Sequence, residues 1–146
     1  MSTLPEILTN EAKKPEIVKE CCTLIDSEVD DKGGLTGLAI KAGYKAVKGI
    51  KPGFVEHAVT DLLPEFASAL DPIYQESKTK SVSVSAHFES NTGRVADALL
   101  AITDAKAARA KSGVAKGAYD KLRSTAKKNV EQAVPRLAKM IEKFEA

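Results

Sequence analysis

The sequence predicts an all-α protein, a single domain over residues 1–146 built as a bundle of about six helices with kinks or breaks at internal prolines. Three observations predict it. Apolar residues recur at steps of three and four along most of the chain, the period of a helix with one buried stripe. Alanine and leucine are plentiful while aromatic residues make up only 5% and Trp is absent, which favours helices packed at short distances. One stretch alternates like a strand, and no other segment could pair with it. A chain of 146 residues suits one domain with its own core.

Taken in order, Thr3 and Glu6 fit a capping box with Pro5 in the first turn, so a short helix is expected through Leu8. A second helix opens at Pro15. Ile17, Cys21, Leu24 and Ile25, followed by Val29 or Glu28, form its stripe, and Gly33 and Gly34 end it. Residues 35–48 read as a third helix. Lys51 and Pro52 start a fourth, with Phe54, Ala58, Leu62, Phe66 and Leu70 on its inner face. Pro64 and Pro72 fall inside that pattern. Each lacks a backbone donor and crowds the preceding turn, which predicts kinks or breaks there.

Residues 76–90 carry the alternation Val82, Val84, Ala86, Phe88. A lone strand would have no partner, so a linker through about Ser83 and a short helix near His87 are expected. Residues 93–110 form a helix with Val95, Leu99, Ile102 and Ala105 or Lys106 on one side, and "KSG" at 111–113 breaks it. The last helix, from about residue 118, carries Leu122, Ala126, Val130, Ala133, Leu137, Ile141 and Phe144, close to a heptad seam. Pro135 is a further candidate kink.

The net charge of +2 conceals blocks. Residues 1–31 carry eight acidic and three basic side chains, and residues 32–51 five lysines and no acid. Residues 52–77 carry five acids and no Lys or Arg, and residues 104–146 eleven basic and five acidic groups. Acidic helices lying beside basic ones would neutralise the blocks, each exposed pair contributing about 0–1 kcal/mol. Otherwise the basic helices share a face for a polyanion, an anionic lipid or an acidic protein. Tyr44 and Tyr119 are the only aromatic residues near the lysines, too few to stack bases, which disfavours nucleic acid.

The segment "GGLTGLAIKAGYKAVKGIKPGF" (residues 33–54) is rich in glycine and carries no acid. A phosphate-binding P-loop needs a Gly-Lys-Ser/Thr ending, and a dinucleotide fingerprint needs flanking strands; both are missing. Instead Ala39, Ala42 or Gly43, Ala46 and Gly49 or Ile50 share one side at helical spacing, while Lys41, Lys45 and Lys48 share another. The small side is expected to pack closely against a neighbour. Gly33, Gly34 and Thr36 stand at a helix start, where free N–H groups favour anions. Together with Lys41, Lys45 and Lys48 they are the candidate anion-binding residues.

His57, Asp61 and Glu65 step by four on one helix, a spacing used by metal sites, but no H-E-x-x-H or E-x-x-H pattern accompanies them. They read as a polar outer stripe, and His87 and Glu89 diverge on a helix. Cys21 lies on an apolar stripe, and Glu20 beside Cys22 disfavours a thiolate. Asp97 and Asp104, seven apart, read as surface ion-pair partners of Arg94 or a lysine. No metal ligand set, cofactor site or catalytic constellation emerges, and the chain reads as non-enzymatic. Adjacent cysteines rarely reach disulfide geometry, and two free thiols point to a reducing cytoplasm. The N-terminus lacks a signal-peptide pattern, and no run of about 18 apolar residues could span a membrane.

The stretch from Val18 to Pro72, "GRVADALLAITDAKAARA", and "AYDKLRSTAKKNVEQAVPRLAKMIE" resemble a family of small uncharacterised actinobacterial proteins, a domain of unknown function. The resemblance covers most of the length except residues 76–90. It implies a bacterial, intracellular, helical protein and brings no activity or site residue. The expected function is therefore that of a helical interaction protein. It would act with a protein partner or as a homodimer through Val130, Ala133, Leu137, Met140 or Ile141 and Phe144, a seam that could equally dock inside the monomer. The alternative is a binding module for a polyanion or anionic membrane surface, using Lys41, Lys45, Lys48, Lys121, Arg123, Lys127 and Lys128.

Overall fold

The chain's structure is a computed structural model that describes residues 3–145, the side chain of Thr36 excepted. Seven helices and no strand make up the described residues: α1 (Leu4–Leu8), α2 (Lys14–Asp30), α3 (Gly34–Lys48), α4 (Phe54–Thr79), α5 (Val84–Glu89), α6 (Thr92–Ala108) and α7 (Gly113–Glu145). The all-α reading holds, with two short helices among the seven.

The short helices form for local reasons. Thr3 Oγ1 accepts from the Glu6 N–H at 3.2 Å and Pro5 sits in the first turn of α1. The Leu4 N–H donates to Asp71 Oδ1 at 2.8 Å, which fastens α1 to α4. Ser83 Oγ caps α5 by accepting from the Ala86 N–H at 3.0 Å. Glu142 of α7 then accepts from both the N–H and the hydroxyl of Ser85, at 3.0 and 2.8 Å. The alternating stretch is thus a helix: Val84 and Phe88, four apart, are both fully buried. Burying a side chain such as Phe88 contributes about 1.5–3 kcal/mol.

The core gathers α1 (Leu4, Leu8), α2 (Ile17), α4 (Leu63, Ala67, Leu70, Ile73, Tyr74), α5, α6 (Val95) and the last third of α7 (Val134, Ala138, Met140, Ile141, Phe144). Of the predicted α7 seam, Met140, Ile141 and Phe144 belong to this core and Leu137 packs against it, while Val130 and Ala133 are half-buried outside it. Helix α3 contributes nothing to this cluster. Helix α7 has 33 residues, about 50 Å at about 1.5 Å per residue, and outruns the core. Before Val134, its only buried residue is Ala118.

One expectation narrows and another needs correction. No break occurs at Pro64 or Pro72: α4 runs on through both for 26 residues, as α7 does through Pro135. Pro64 and Pro72 are exposed, on the side of a helix where water can replace a lost N–H···O bond. The small-residue side of α3 is not its packing side. Ala39, Ala42 and Ala46 are exposed, while Ile40 is buried and Tyr44 and Val47 are half-buried. The larger residues turn inward because their burial removes more apolar area from water. A Cβ added at Gly43 would meet the side chain of Leu122.

Candidate functional site

Helices α3 and α7 run antiparallel. Gly33, Gly37 and Ile40 share a cleft with Thr125, Asn129 and Arg136, whereas Ala42 and Ala46 share a groove with Gly113, Gly117 and Leu122. These two concavities lie end to end along the same pair of helices and differ in character.

The cleft, about 680 Å³, is polar. The start of α3 opens into it. Gly33 is extended and offers no capping side chain, and Gly34 has φ of 69°, a left-handed conformation that glycine adopts without strain. Two of its three cations are already engaged. Arg136 pairs with Glu28 and with Asp31 (2.5 Å to Asp31), and Lys32 reaches Glu28 at 3.5 Å and donates to Gln132 at 2.5 Å. Lys128 lines the cleft without an ion-pair partner among the described residues. Of the candidate anion-binding residues, only Gly33 lines this cleft; Lys41, Lys45 and Lys48 do not. Lys48 instead lies 3.6 Å from Asp26 and over the ring of Tyr44, whose hydroxyl donates to Asp26 at 2.5 Å. The side chain of Thr36 lies outside the described residues.

The groove, about 530 Å³, is lined by Ala39, Ala42, Gly43 and Ala46 of α3 and by Gly113, Val114, Gly117, Ala118, Lys121 and Leu122 of α7. No acidic residue lines it. Val114 of the α7 wall is 57% exposed, and on α3 Leu35 and Leu38, which precede Ala39 and do not line the groove, are 87% and 64% exposed. Isolated exposed leucines need no explanation, but a contiguous apolar patch on one face marks an interaction surface. Lys41 and Lys45 follow one side of the α3 stripe, and Lys121 stands on the α7 wall. None of the three has an ion-pair partner among the described residues.

Elsewhere the charge blocks neutralise across helices. Lys143 of α7 meets Glu20 at 2.6 Å and Glu16 at 3.8 Å, Lys78 meets Glu145 at 2.5 Å, and Lys127 meets Asp97 at 3.2 Å. Asp104 accepts from Arg123 at 2.8 Å and from the Tyr119 hydroxyl, and these donors, Arg123 foremost, hold its carboxyl below the usual range. Arg94 bypasses Asp97 and forks onto Glu76 of α4 at 2.8 Å through both nitrogens. His87, only 6% exposed, adds its Nε2 at 2.9 Å from the same carboxylate. Sequence spacing could not join His87 to Glu76, eleven residues and one turn away. The shared face of Val84, His87 and Phe88 was the available signal that His87 is buried.

The remaining titratable candidates assemble no chemistry. His57 pairs with Asp61 at 3.4 Å, both largely exposed. Neither His57 nor Asp97 lines the cleft or the groove. No group of three His, Cys, Asp or Glu side chains among the described residues is placed to hold a metal. Burial pushes the Cys21 thiol up to about 12, with Cys22 and Glu20 adding to it, and burial followed by Glu56 and Asp26 raises that of Cys22. Among the described residues no helix is long and apolar enough to cross a membrane.

Compared with known families, residues 4–145 match one that is described as being of unknown function. No curated protein and no solved structure matches the chain.

Proposed function

The chain belongs to the family of unknown function DUF6918, and from its own geometry we propose that it is a non-enzymatic helical interaction protein whose partner is another protein chain bound on the α3–α7 face. One observation carries the reading: Leu35 and Leu38 stand 87% and 64% exposed on α3, in the turn that precedes the residues walling an apolar groove. Met140, Ile141 and Phe144 of the α7 seam are buried inside the monomer, which favours the α3–α7 face over that seam as the apolar surface for association. The same reading places the protein in a bacterial cytoplasm, where Cys21 and Cys22 stay reduced.

A photo-crosslinking residue placed at position 38 or 114 in living cells tests it. Discrete adducts are expected there and not at the exposed Ala105 of α6. Filling the groove with Ala42→Trp should remove them. The same adduct pattern at positions 38 and 105, or adducts indifferent to Ala42→Trp, would overturn it.

A second reading, a module for an anionic surface, draws on the uncapped start of α3 beside the unpaired Lys128 and on the exposed Lys41 and Lys45. Phosphatidylglycerol vesicles at low salt test it, since phosphate contacts weaken steeply as salt rises. No binding to them would discard it.

A further inference from the structure

Helix α3 is, among the described residues, the one helix with no residue in the core or packed against it. Of its 15 residues Ile40 is the only buried apolar side chain, whereas the five-residue α1 buries both Leu4 and Leu8. Leu35 and Leu38 stay exposed. Apolar burial is the main favourable term that holds a helix to its neighbours, and α3 has little of it. Its contact with α7 is also interrupted, since the cleft and the groove, about 680 and 530 Å³, open between the two helices.

Polar ties do not make up the deficit. The Tyr44 hydroxyl donates to Asp26 of α2 at 2.5 Å, and Lys48 lies 3.6 Å from the same carboxylate. Among the described residues no other hydrogen bond or ion pair joins a side chain of α3 to another helix. One residue, Asp26, thus latches the C-terminal half of α3. Both ends run into glycines. Gly34 has φ of 69° and Gly53 of 74°, and nothing lies within 4 Å of a Cβ built on either. Glycine takes either sign of φ at little cost, so the backbone can turn at both points without displacing a neighbour.

We infer that α3 is a strap that opens as one unit between these glycine hinges, with Asp26 as its latch, while α4, α5 and the end of α7 stay folded. Partial openings of this kind release the elements with the fewest buried apolar contacts. Once detached, a helix of 15 residues with Gly37 and Gly43 inside it is marginal in water, so opening melts it. Opening is a property of the free chain and needs no partner. It dismantles cleft and groove together, because α3 supplies a wall of each. A partner seated on the α3–α7 face therefore holds the strap shut, by binding the closed state alone.

Hydrogen exchange of the full chain, read amide by amide by NMR over minutes to hours, tests this. The amides of residues 38–48 should share one degree of protection, on the order of a hundredfold below that of Ile73 and Ile141. Asp26→Ala, at a side chain 49% exposed, should lower the protection of α3 by roughly a further tenfold and leave Ile73 and Ile141 unchanged. Protection of α3 equal to that of α4 overturns the inference. So does protection that declines residue by residue toward one end of α3, which is fraying. An Asp26→Ala effect spread equally over all helices overturns it as well, since α3 would then open only with the whole bundle.

Discussion

The buried imidazole of His87 meets the carboxylate of Glu76 across 2.9 Å and joins the short α5 to α4. Arg94 of α6 clamps the same carboxylate with both terminal nitrogens at 2.8 Å. Three helices thus converge on one anion. The Arg94 fork, then His87, lower its pKa from 4.5 to about 2. A carboxyl depressed on folding stabilises the fold above its unfolded value, and that contribution disappears as pH falls through the folded one. Thermal unfolding of the wild type should therefore fall more steeply between pH 4.5 and about 2 than that of Glu76→Gln. Parallel curves for the two proteins would show that the clamp does not couple to folding.

The contrast between the two ends of the bundle can be measured with two truncations. Ile141 is fully buried in the core, whereas Leu38 is 64% exposed. Ile141→Ala should cost about 2–5 kcal/mol, through lost transfer energy plus a cavity. Leu38→Ala should stay within about 0.5 kcal/mol, as surface changes do. Urea unfolding followed by circular dichroism reads both. A large cost for Leu38→Ala would mean that this leucine is packed, and the exposed face would be lost with it.

Gly37 is fixed by its neighbour's backbone. A Cβ there would lie 2.7 Å from the carbonyl carbon and oxygen of Lys32, which cannot yield without moving the α2–α3 turn. Gly37→Ala should destabilise by about 1–3 kcal/mol despite alanine's better helix propensity. Gly43→Ala is the control. Its Cβ would meet the end of the Leu122 side chain at 3.1 Å, and that side chain can turn away. Its cost should be under about 1 kcal/mol, since the propensity gain offsets the crowding. Equal unfolding midpoints for the two variants would refute the difference.

How far the sequence revealed this molecule depends on the residue. Only the end of the α7 stripe was legible: Ile141 and Phe144 are buried, whereas Leu122, Ala126, Val130, Ala133 and Leu137 are half-buried and the buried Val134 and Ala138 lie off the predicted stripe. The Ser83 cap and the lack of any second strand turned the Val82–Phe88 alternation into α5. Helix α3 was misread because both its sides are apolar. Ala39, Ala42 and Ala46 compete with Ile40, Tyr44 and Val47, and period alone cannot rank them. Area does, and the larger set won. The prolines of α4 could have been placed, since Pro64 and Pro72 project away from Leu62, Leu63 and Leu70. The groove was not legible, because it exists only between α3 and a half of α7 that is seventy residues further on. The lysine blocks were visible in the sequence, and only the ion pairs of Lys48 and Lys127 separate engaged cations from free ones.

The adjacent cysteines report on opening of the α2–α7 contact. Cys21 Sγ lies 3.6 Å from Met140 Sδ, and burial, ahead of Cys22 and Glu20, pushes its thiol up to about 12. At pH 8 only about one part in ten thousand of such a thiol is thiolate, the form that reacts. Cys22 has a smaller rise, from burial and then Glu56 and Asp26. Iodoacetamide at pH 8 should therefore label Cys22 first. Cys21, half-buried like its neighbour, should follow more slowly, because its thiol packs on Met140 and is raised further. Site-resolved mass spectrometry over time, repeated in rising urea, gives both rates. If Cys21 reacts as fast as Cys22 in the absence of urea, the contact with Met140 does not protect it, and α2 opens locally from α7.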